Sequence, residues 1–450
     1  MNNNFLYLNF INFTDVSLWD FKRYATKKFA SSYPIVKLGD YIQEENTKVK
    51  PFDFPGKDFS ILGVNNKTGL FDAYIEKGNN INQPYKIVRD GFLAYNPYRV
   101  NVGSIGLKTA EQKYNYISPA YVVFSCRQGL LPEFLYILFR TSKFNALIRE
   151  STTGSVRQTL SFSSMGNIEI PLPSIEKQRE IVDKYNEMCQ TAVNLKKQAV
   201  DILEKFSSLF RLKLGIQTNA NDASKVGFRT IPFSKITKWS IAELSKSQTY
   251  LFGKSKFECR NVKDLISQMS GGKTPSTGNS AYWQEGDVCW TSAKDMKDLF
   301  LKATEDHITK AAVHENSLTI HQPGTILAVF RSGILRHSFP IAISTVPTTI
   351  NQDLKAIKLN NDLILDKYFI FYFYFMQKLV LESAMKTGVT VESIDVDAFL
   401  KIPVVVPPLT EQQNIIAQID KIMQKIQDLK SKADIIKIEA QQQFEKELFE

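Results

Sequence analysis

Ile168-Glu169-Ile170-Pro171-Leu172-Pro173-Ser174-Ile175-Glu176-Lys177-Gln178 returns, altered, as Ile402-Pro403-Val404-Val405-Val406-Pro407-Pro408-Leu409-Thr410-Glu411-Gln412, and this repetition decides the fold. Ile168, Pro173, Ile175 and Gln178 fall on Ile402, Pro407, Leu409 and Gln412 at one offset of 234 residues, which Thr153-Gly154 and Thr387-Gly388 share. Earlier blocks keep the same order: Phe13–Trp19 aligns with Phe233–Trp239, and Leu38–Ile42 with Val262–Ile266. Separate blocks held in one order mark an internal duplication.

Each repeated block opens a long helix, the first from about Ser174 to Leu214 and the second from about Thr410 to Phe449. Pro171 and Pro173, then Pro407 and Pro408, stand before the helices, where proline is tolerated, and none stands within them. The first helix has an apolar seam of Tyr185, Met188, Ala192, Leu195, Ala199, Ile202, Phe206 and Leu209; the second has Ile419, Ile422, Ile426, Leu429, Ala433, Ile436 and Ala440. Steps of three and four average the coiled-coil period, and the first seven positions match at the same offset. About 40 residues at 1.5 Å rise make a rod of roughly 60 Å. Antiparallel pairing would place the globular parts at opposite ends and parallel pairing would crowd them; the seam alone leaves the direction open. Gly215 and the polar stretch Gln217–Lys225 supply a link.

Composition sets outer bounds. The 450 residues suffice for two to four domains, with 43% hydrophobic and 23% charged residues, as in ordinary globular proteins. Lys plus Arg exceed Asp plus Glu by 56 to 46, a net charge of +10 that suits a polyanionic partner without requiring one. Cys126, Cys189, Cys259 and Cys289 form no Cys-x-x-Cys pair, which argues against a disulfide scaffold or structural zinc. Met1–Phe13 lacks the basic start of a signal peptide, and the longest apolar run, Tyr368–Met376, is too short to span a bilayer and reads as a buried helix. A cytoplasmic protein with no membrane partner is expected.

Both globular regions mix β-like runs with helices. Val88–Leu93 and Ile320–Leu327 read as turns feeding strands, and Pro132–Phe139 and Asp366–Met376 as apolar helices in matching places. The side chains suited to nucleic acid are Asn96, Arg99, Asn101, Arg157 and Gln158 in the first region, and Lys273, Thr274, Ser276, Ser292, Lys294, Arg331 and Arg336 in the second. Arg, Lys, Asn and Gln can fork onto base edges, while Ser, Thr and Lys more often hold phosphates.

Several enzymatic chemistries leave no motif. Gly-x-Gly-x-x-Gly does not occur, and Asn96-Pro97-Tyr98 lacks the second proline of an adenine methyltransferase motif. Gly271-Gly272-Lys273-Thr274 has no glycine at the start of an ATP-binding loop. Asp295-Met296-Lys297 and Glu111-Gln112-Lys113 match only the second half of a nuclease motif, and no Pro-Asp dipeptide precedes either. His307, His314 and His321 are seven apart and would share a face of one helix, but Pro323 and the β-like residues nearby speak against that helix, so no metal site is expected.

The closing blocks Ile168–Pro173 and Phe399–Gln413, the Gly271–Ser276 block followed by Tyr282-Trp283 and Gly286–Trp290, and Tyr95–Arg99 with Asn101 and Gly103 together resemble the specificity subunits of type I restriction–modification systems. The first repeat departs in carrying Gln43–Thr47 where the second has Gly-Gly-Lys-Thr-Pro-Ser. The resemblance implies an α+β fold: two tandem target-recognition domains, each followed by a long helix, with the helices pairing as an antiparallel coiled coil. Residues 1–170 and 226–404 would be the domains, 171–216 and 405–450 the helices, and 217–225 the linker. It further implies no catalysis by this chain. Each domain would read one half of a split double-stranded DNA target. Modification subunits, two in number, would bring S-adenosylmethionine, and restriction subunits would bring ATP and Mg. The helix faces bearing Lys177, Arg179, Lys184, Gln412 and Lys421 would meet those subunits. A related type II recognition subunit, a fused enzyme and a coiled-coil scaffold are the alternatives.

Overall fold

The computed structural model describes residues 31–100, 103–151, 159–218, 250–252, 255–386 and 391–449. The aligned blocks at Phe13–Trp19 and Phe233–Trp239, the Thr153-Gly154 and Thr387-Gly388 pairs, most of the linker, and Asn101, Arg157 and Gln158 lie outside the described residues. The chain forms two compact units. One takes residues up to Lys196 together with Lys430 onward; the other is Lys197–Leu429.

In the first unit an antiparallel sheet runs in the order Ile42–Glu44, Val122–Cys126, Leu93–Tyr95, Ile105–Leu107. In the second unit the same order is kept by Ile266–Gly271, Leu354–Leu359, Ile326–Val329 and Ile341–Ser344, with Phe300–Leu301 added in parallel. Order is repeated, but register is interrupted: Ile42 faces Cys126 and Glu44 faces Phe124 in the first sheet, whereas an irregularity between Ile266 and Gln268 shifts the second, where Ile266 faces Leu359 and Met269 faces Ile357. A short pair closes each domain: Val36 faces Ile170, and Arg260 faces Val404. In that closing pair the register is the same in both repeats, and Ile170 and Val404 are both buried, as a register that is not slipped requires.

The repeats diverge in what they add to this frame. The first carries a five-stranded sheet ordered Lys48–Val49, Tyr85–Ile87, Tyr116–Ile117, Asp58–Asn65, Gly69–Lys77. The second carries a three-stranded sheet of Asp306–Ile308, Val288–Thr291 and Thr348–Ile350. The α+β reading holds in both units.

Pro132–Phe139 and Asp366–Phe375 are helices, as the sequence predicts. The second is buried all round, and its two deepest hydroxyls still find acceptors: Tyr368 donates to the Val405 carbonyl at 2.8 Å and Tyr372 to that of Pro403 at 3.1 Å. Among the described residues no helix is long and apolar enough to cross a membrane.

The long helices span Ile175–Lys213 and Leu409–Phe449. In the first unit Lys177 lies 3.4 Å from Glu447 and Lys196 lies 2.7 Å from Asp434, so the helices run in opposite directions there. In the second unit Lys213 meets Glu411 at 2.9 Å, and the direction is again antiparallel. The seam is small-and-large: Ala192, Ala199, Ala433, Ala440, Ile419 and Ile426 are buried, while Tyr185, Met188, Leu195, Ile202, Ile422, Leu429 and Ile436 are half-buried. Alanine lets the backbones approach, and the larger residues flank the contact. Leu209 departs from the expected seam. It is 60% exposed, and Phe210 is buried instead, because a step of four from Phe206 follows the 3.6-residue turn where the helix packs on the core of the second unit.

Each core is finished by helix ends. Phe444, Leu448 and Phe449 enter the core of the first unit, with the Phe444 ring 5.6 Å from Phe134 and 6.0 Å from Tyr185. Phe206, Phe210 and Leu214 enter that of the second, with Phe210 5.0 Å from Phe375.

Candidate nucleic-acid interface

The strand equivalences place the candidate residues more sharply than sequence alignment does. Leu93–Tyr95 and Ile105–Leu107 form a hairpin whose connection is Asn96–Ser104. Ile326–Val329 and Ile341–Ser344 form its counterpart, connected by Phe330–Pro340. Asn96 and Arg99 in one unit and Arg331 and Arg336 in the other therefore occupy the same loop of the same sheet. Tyr95–Arg99 thus corresponds to Phe330–Pro340, whereas its resemblance suggested a domain opening like Gly271–Ser276.

In the first unit Asn96 shapes the loop, its Oδ1 accepting the Tyr98 N–H at 3.0 Å. Arg99 is exposed, and the loop is pinned below by Leu160, whose N–H donates to the Pro97 carbonyl at 3.1 Å. Beside it stands a feature the sequence reading missed. The Asp58–Asn65 and Gly69–Lys77 strands form a long hairpin, and its tip carries exposed Asn66, Lys67 and Thr68. Asn65 Oδ1 accepts the N–H groups of Lys67 at 2.8 Å and Thr68 at 2.7 Å, fixing the turn. A Cβ on Gly103 would lie 3.9 Å from that of Asn66, so tip and loop are neighbours. Gly106 makes this possible, since a Cβ there would stand 2.1 Å from the Leu70 nitrogen. Asn-Lys-Thr-Gly between β-like runs was the available signal.

In the second unit the loop gathers other candidates. Gly272 passes so close to Ile350 that a Cβ would lie 1.9 Å from its carbonyl oxygen, and Lys273 N–H donates to that oxygen at 3.1 Å. The Thr274 hydroxyl bonds the Gln352 side chain. One residue on, the Asp353 carbonyl accepts the N–H groups of Phe330 and Arg331 at 2.8 and 3.1 Å. Lys273, Thr274 and Arg331 are thus linked through Ile350–Asp353. Arg336 is joined to Glu392, and that guanidinium holds the Glu392 carboxyl below the usual carboxylate range.

Ser292 and Lys294 make local side-chain contacts, and Ser276 a backbone one. Ser292 gives its N–H and Oγ to Asp295 Oδ2 at 2.9 and 3.0 Å. Lys294 sits between Asp306 at 2.8 Å and Glu305 at 3.4 Å, and these carboxylates raise its pKa, Asp306 first. The Ser276 carbonyl accepts the Trp283 indole N–H at 3.0 Å.

The helix-face residues divide. Arg179 and Lys421 are exposed, while Lys177 and Lys184 are drawn to Glu180 and Glu447. Gln412 is fully buried and cannot present a face to a partner. The histidines share no helix. His307 is in a strand, His314 in the Lys310–Glu315 helix, and His321 in a bridge to Thr348. Among the described residues no group of three His, Cys, Asp or Glu side chains could hold a metal ion.

A doubled recognition frame joined by antiparallel helices is the class of molecule defined here. The family model of the type I restriction modification DNA specificity domain matches residues 20–216 and 254–440, and the chain belongs to that family. It is 34% identical over 176 residues to the specificity subunit of the type I restriction enzyme EcoR124I/EcoR124II of Escherichia coli, covering 39% of this chain and 43% of that protein. It is 29% identical over 185 residues to the type I restriction enzyme MjaIX specificity subunit of Methanocaldococcus jannaschii, covering 40% and 41%. These matches span less than half the length of either relative. A chain from a solved structure concerned with complex assembly and conformational transition of the type I R-M system shares the fold, with a TM-score of 0.54 and 17% identity over 94% of this chain and 97% of that one.

Proposed function

We propose that this chain is the DNA-sequence-reading, non-catalytic subunit of a type I restriction–modification complex, each unit taking one half of a split double-stranded target. The observation that carries this reading is the recurrence of an exposed, arginine-bearing hairpin loop at the same place in both repeats, with different residues in each. A shared frame with divergent loops is what reading two different half-sites requires. Two modification subunits supply S-adenosylmethionine chemistry, and restriction subunits supply ATP- and Mg-dependent cleavage. Arg179 and Lys421, both exposed, would face them.

The test is a genome-wide map of modified adenines in the host, with and without this chain. A split motif that disappears on deletion is expected, and an unchanged map overturns the reading. Methyl transfer by the purified chain alone would favour a fused enzyme instead.

A further inference from the structure

Arg336 is held in a way that an ordinary surface arginine is not. Its Nε donates to Glu392 Oε1 at 2.6 Å, and while the Arg336 side chain is 58% exposed, that of Glu392 is only 5% exposed. The Glu392 carbonyl also accepts the Ser332 N–H at 3.1 Å, so the residue grips the loop at two points. Its second carboxylate oxygen, Oε2, is buried with no hydrogen-bond partner. Stability gives no reason for this arrangement. A half-exposed ion pair contributes little, and a buried, half-satisfied carboxylate is costly.

A guanidinium has two forked edges, one formed by Nε with an Nη and the other by the two Nη amines. Glu392 engages the first. Among the described residues neither Nη amine of Arg336 has a hydrogen-bond partner. The second fork therefore faces outward on a side chain whose rotation is already restrained. In the major groove guanine sets two acceptors, O6 and N7, side by side, whereas adenine replaces one of them with a donor.

We propose that Arg336, oriented by Glu392, reads one guanine in the half-site taken by the second unit. The inference rests on the DNA-reading function proposed above and narrows it to one base pair. Arg336 is the contacting residue. Glu392 is a positioning residue, its unpartnered oxygen available to close a two-pronged grip when the guanidinium docks.

The experiment uses the complex purified from the native host through this chain, with its target taken from the map of modified adenines. Each guanine of the half-site is replaced in turn by 7-deazaguanine, which keeps base pairing but removes the N7 acceptor. One position is expected to lose affinity, and Arg336→Ala, which removes every donor, should abolish that sensitivity. Glu392→Gln, which keeps shape and removes charge, should lower discrimination at the same pair by roughly 5- to 150-fold and leave the other pairs unchanged. No sensitive guanine, or the same sensitivity in Arg336→Ala, overturns the proposal. Uniform weakening across all sequences would assign Arg336 to a phosphate and overturn it too. Absence of any sequence-specific binding by the unaltered complex would instead overturn the broader function. The modified-base arm needs no variant, so a variant that fails to fold leaves the proposal open to refutation.

Discussion

Gln178 and Gln412 occupy the same buried position in the two repeats and make the same three hydrogen bonds. Gln178 Oε1 accepts the Leu131 N–H at 2.9 Å, and its Nε2 donates to the carbonyls of Gly129 and Pro173, both at 2.9 Å. Gln412 repeats this with Leu365 at 2.9 Å, Leu363 at 3.0 Å and Pro407 at 2.8 Å. Each carboxamide fastens the first turn of a long helix to the loop before the apolar helix of its domain, satisfying backbone groups that have no other use.

Gln412→Ala should therefore destabilise the second unit severely, by about 2–4 kcal/mol, since buried unsatisfied groups cost about 1–3 kcal/mol each. Denaturant unfolding reads this as a lowered midpoint. Gln178→Ala should do the same to the first unit. A shift under about 0.5 kcal/mol, the range of ordinary surface changes, would contradict the assignment.

Phe444→Ala removes a ring that fills the core of the first unit beside Phe134 and Tyr185. A loss of about 3–5 kcal/mol is expected. Leu209→Ser, at the exposed position the heptad pattern picked for the seam, should change stability by less than about 0.5 kcal/mol. Thermal unfolding of the two variants side by side separates a seam drawn from strict heptads from the one observed.

Lys294→Ala should leave DNA affinity and its salt dependence unaltered, because Asp306 and Glu305 already engage the ammonium. Arg99→Ala should weaken binding, either at one base pair of the first half-site or uniformly if the contact is to phosphate. Titrations of the assembled complex at two salt concentrations would show it, and a change in salt slope for Lys294→Ala would refute the first expectation.

His321 gives an acid-sensitive contribution to stability. Burial, with a smaller push from Lys358, holds its imidazole below the ordinary 6.5. Below that value the unfolded chain binds more protons than the folded one, so the contribution is present above pH 6.5 and is lost as the pH falls through the lowered folded value. His321→Asn should lose less stability than the unaltered chain between about pH 7.5 and 5, measured by unfolding midpoints. Equal losses would count against it.

The parts legible in the sequence were those written by strong local physics. Pro173 and Pro407 mark helix starts, the Tyr368–Met376 run marks a buried helix, and the repeated Gln marks equivalent positions. The candidate interface was less legible because its geometry is made by distant pairing. Nothing local to Arg336 announces Glu392, and Lys294 reads as free until Asp306 is brought across from the neighbouring strand. The equivalence of Asn96–Ser104 with Phe330–Pro340 was hidden because the two loops share a place in a sheet and little sequence. Lys67 was missed because a hairpin tip declares itself by turn residues, without any base-reading pattern of its own.

The aromatic residues at the ends of the long helices carry a consequence for inheritance. Phe444 and Leu448 belong to the second copy of the repeat yet seal the hydrophobic interior built by the first, while Phe206 and Phe210 belong to the first copy and seal that of the second. Neither copy severed from its twin keeps its own plug. Recombination that exchanges one reading head for another must therefore conserve these plugs, and with them the helical termini, however freely the loops between drift.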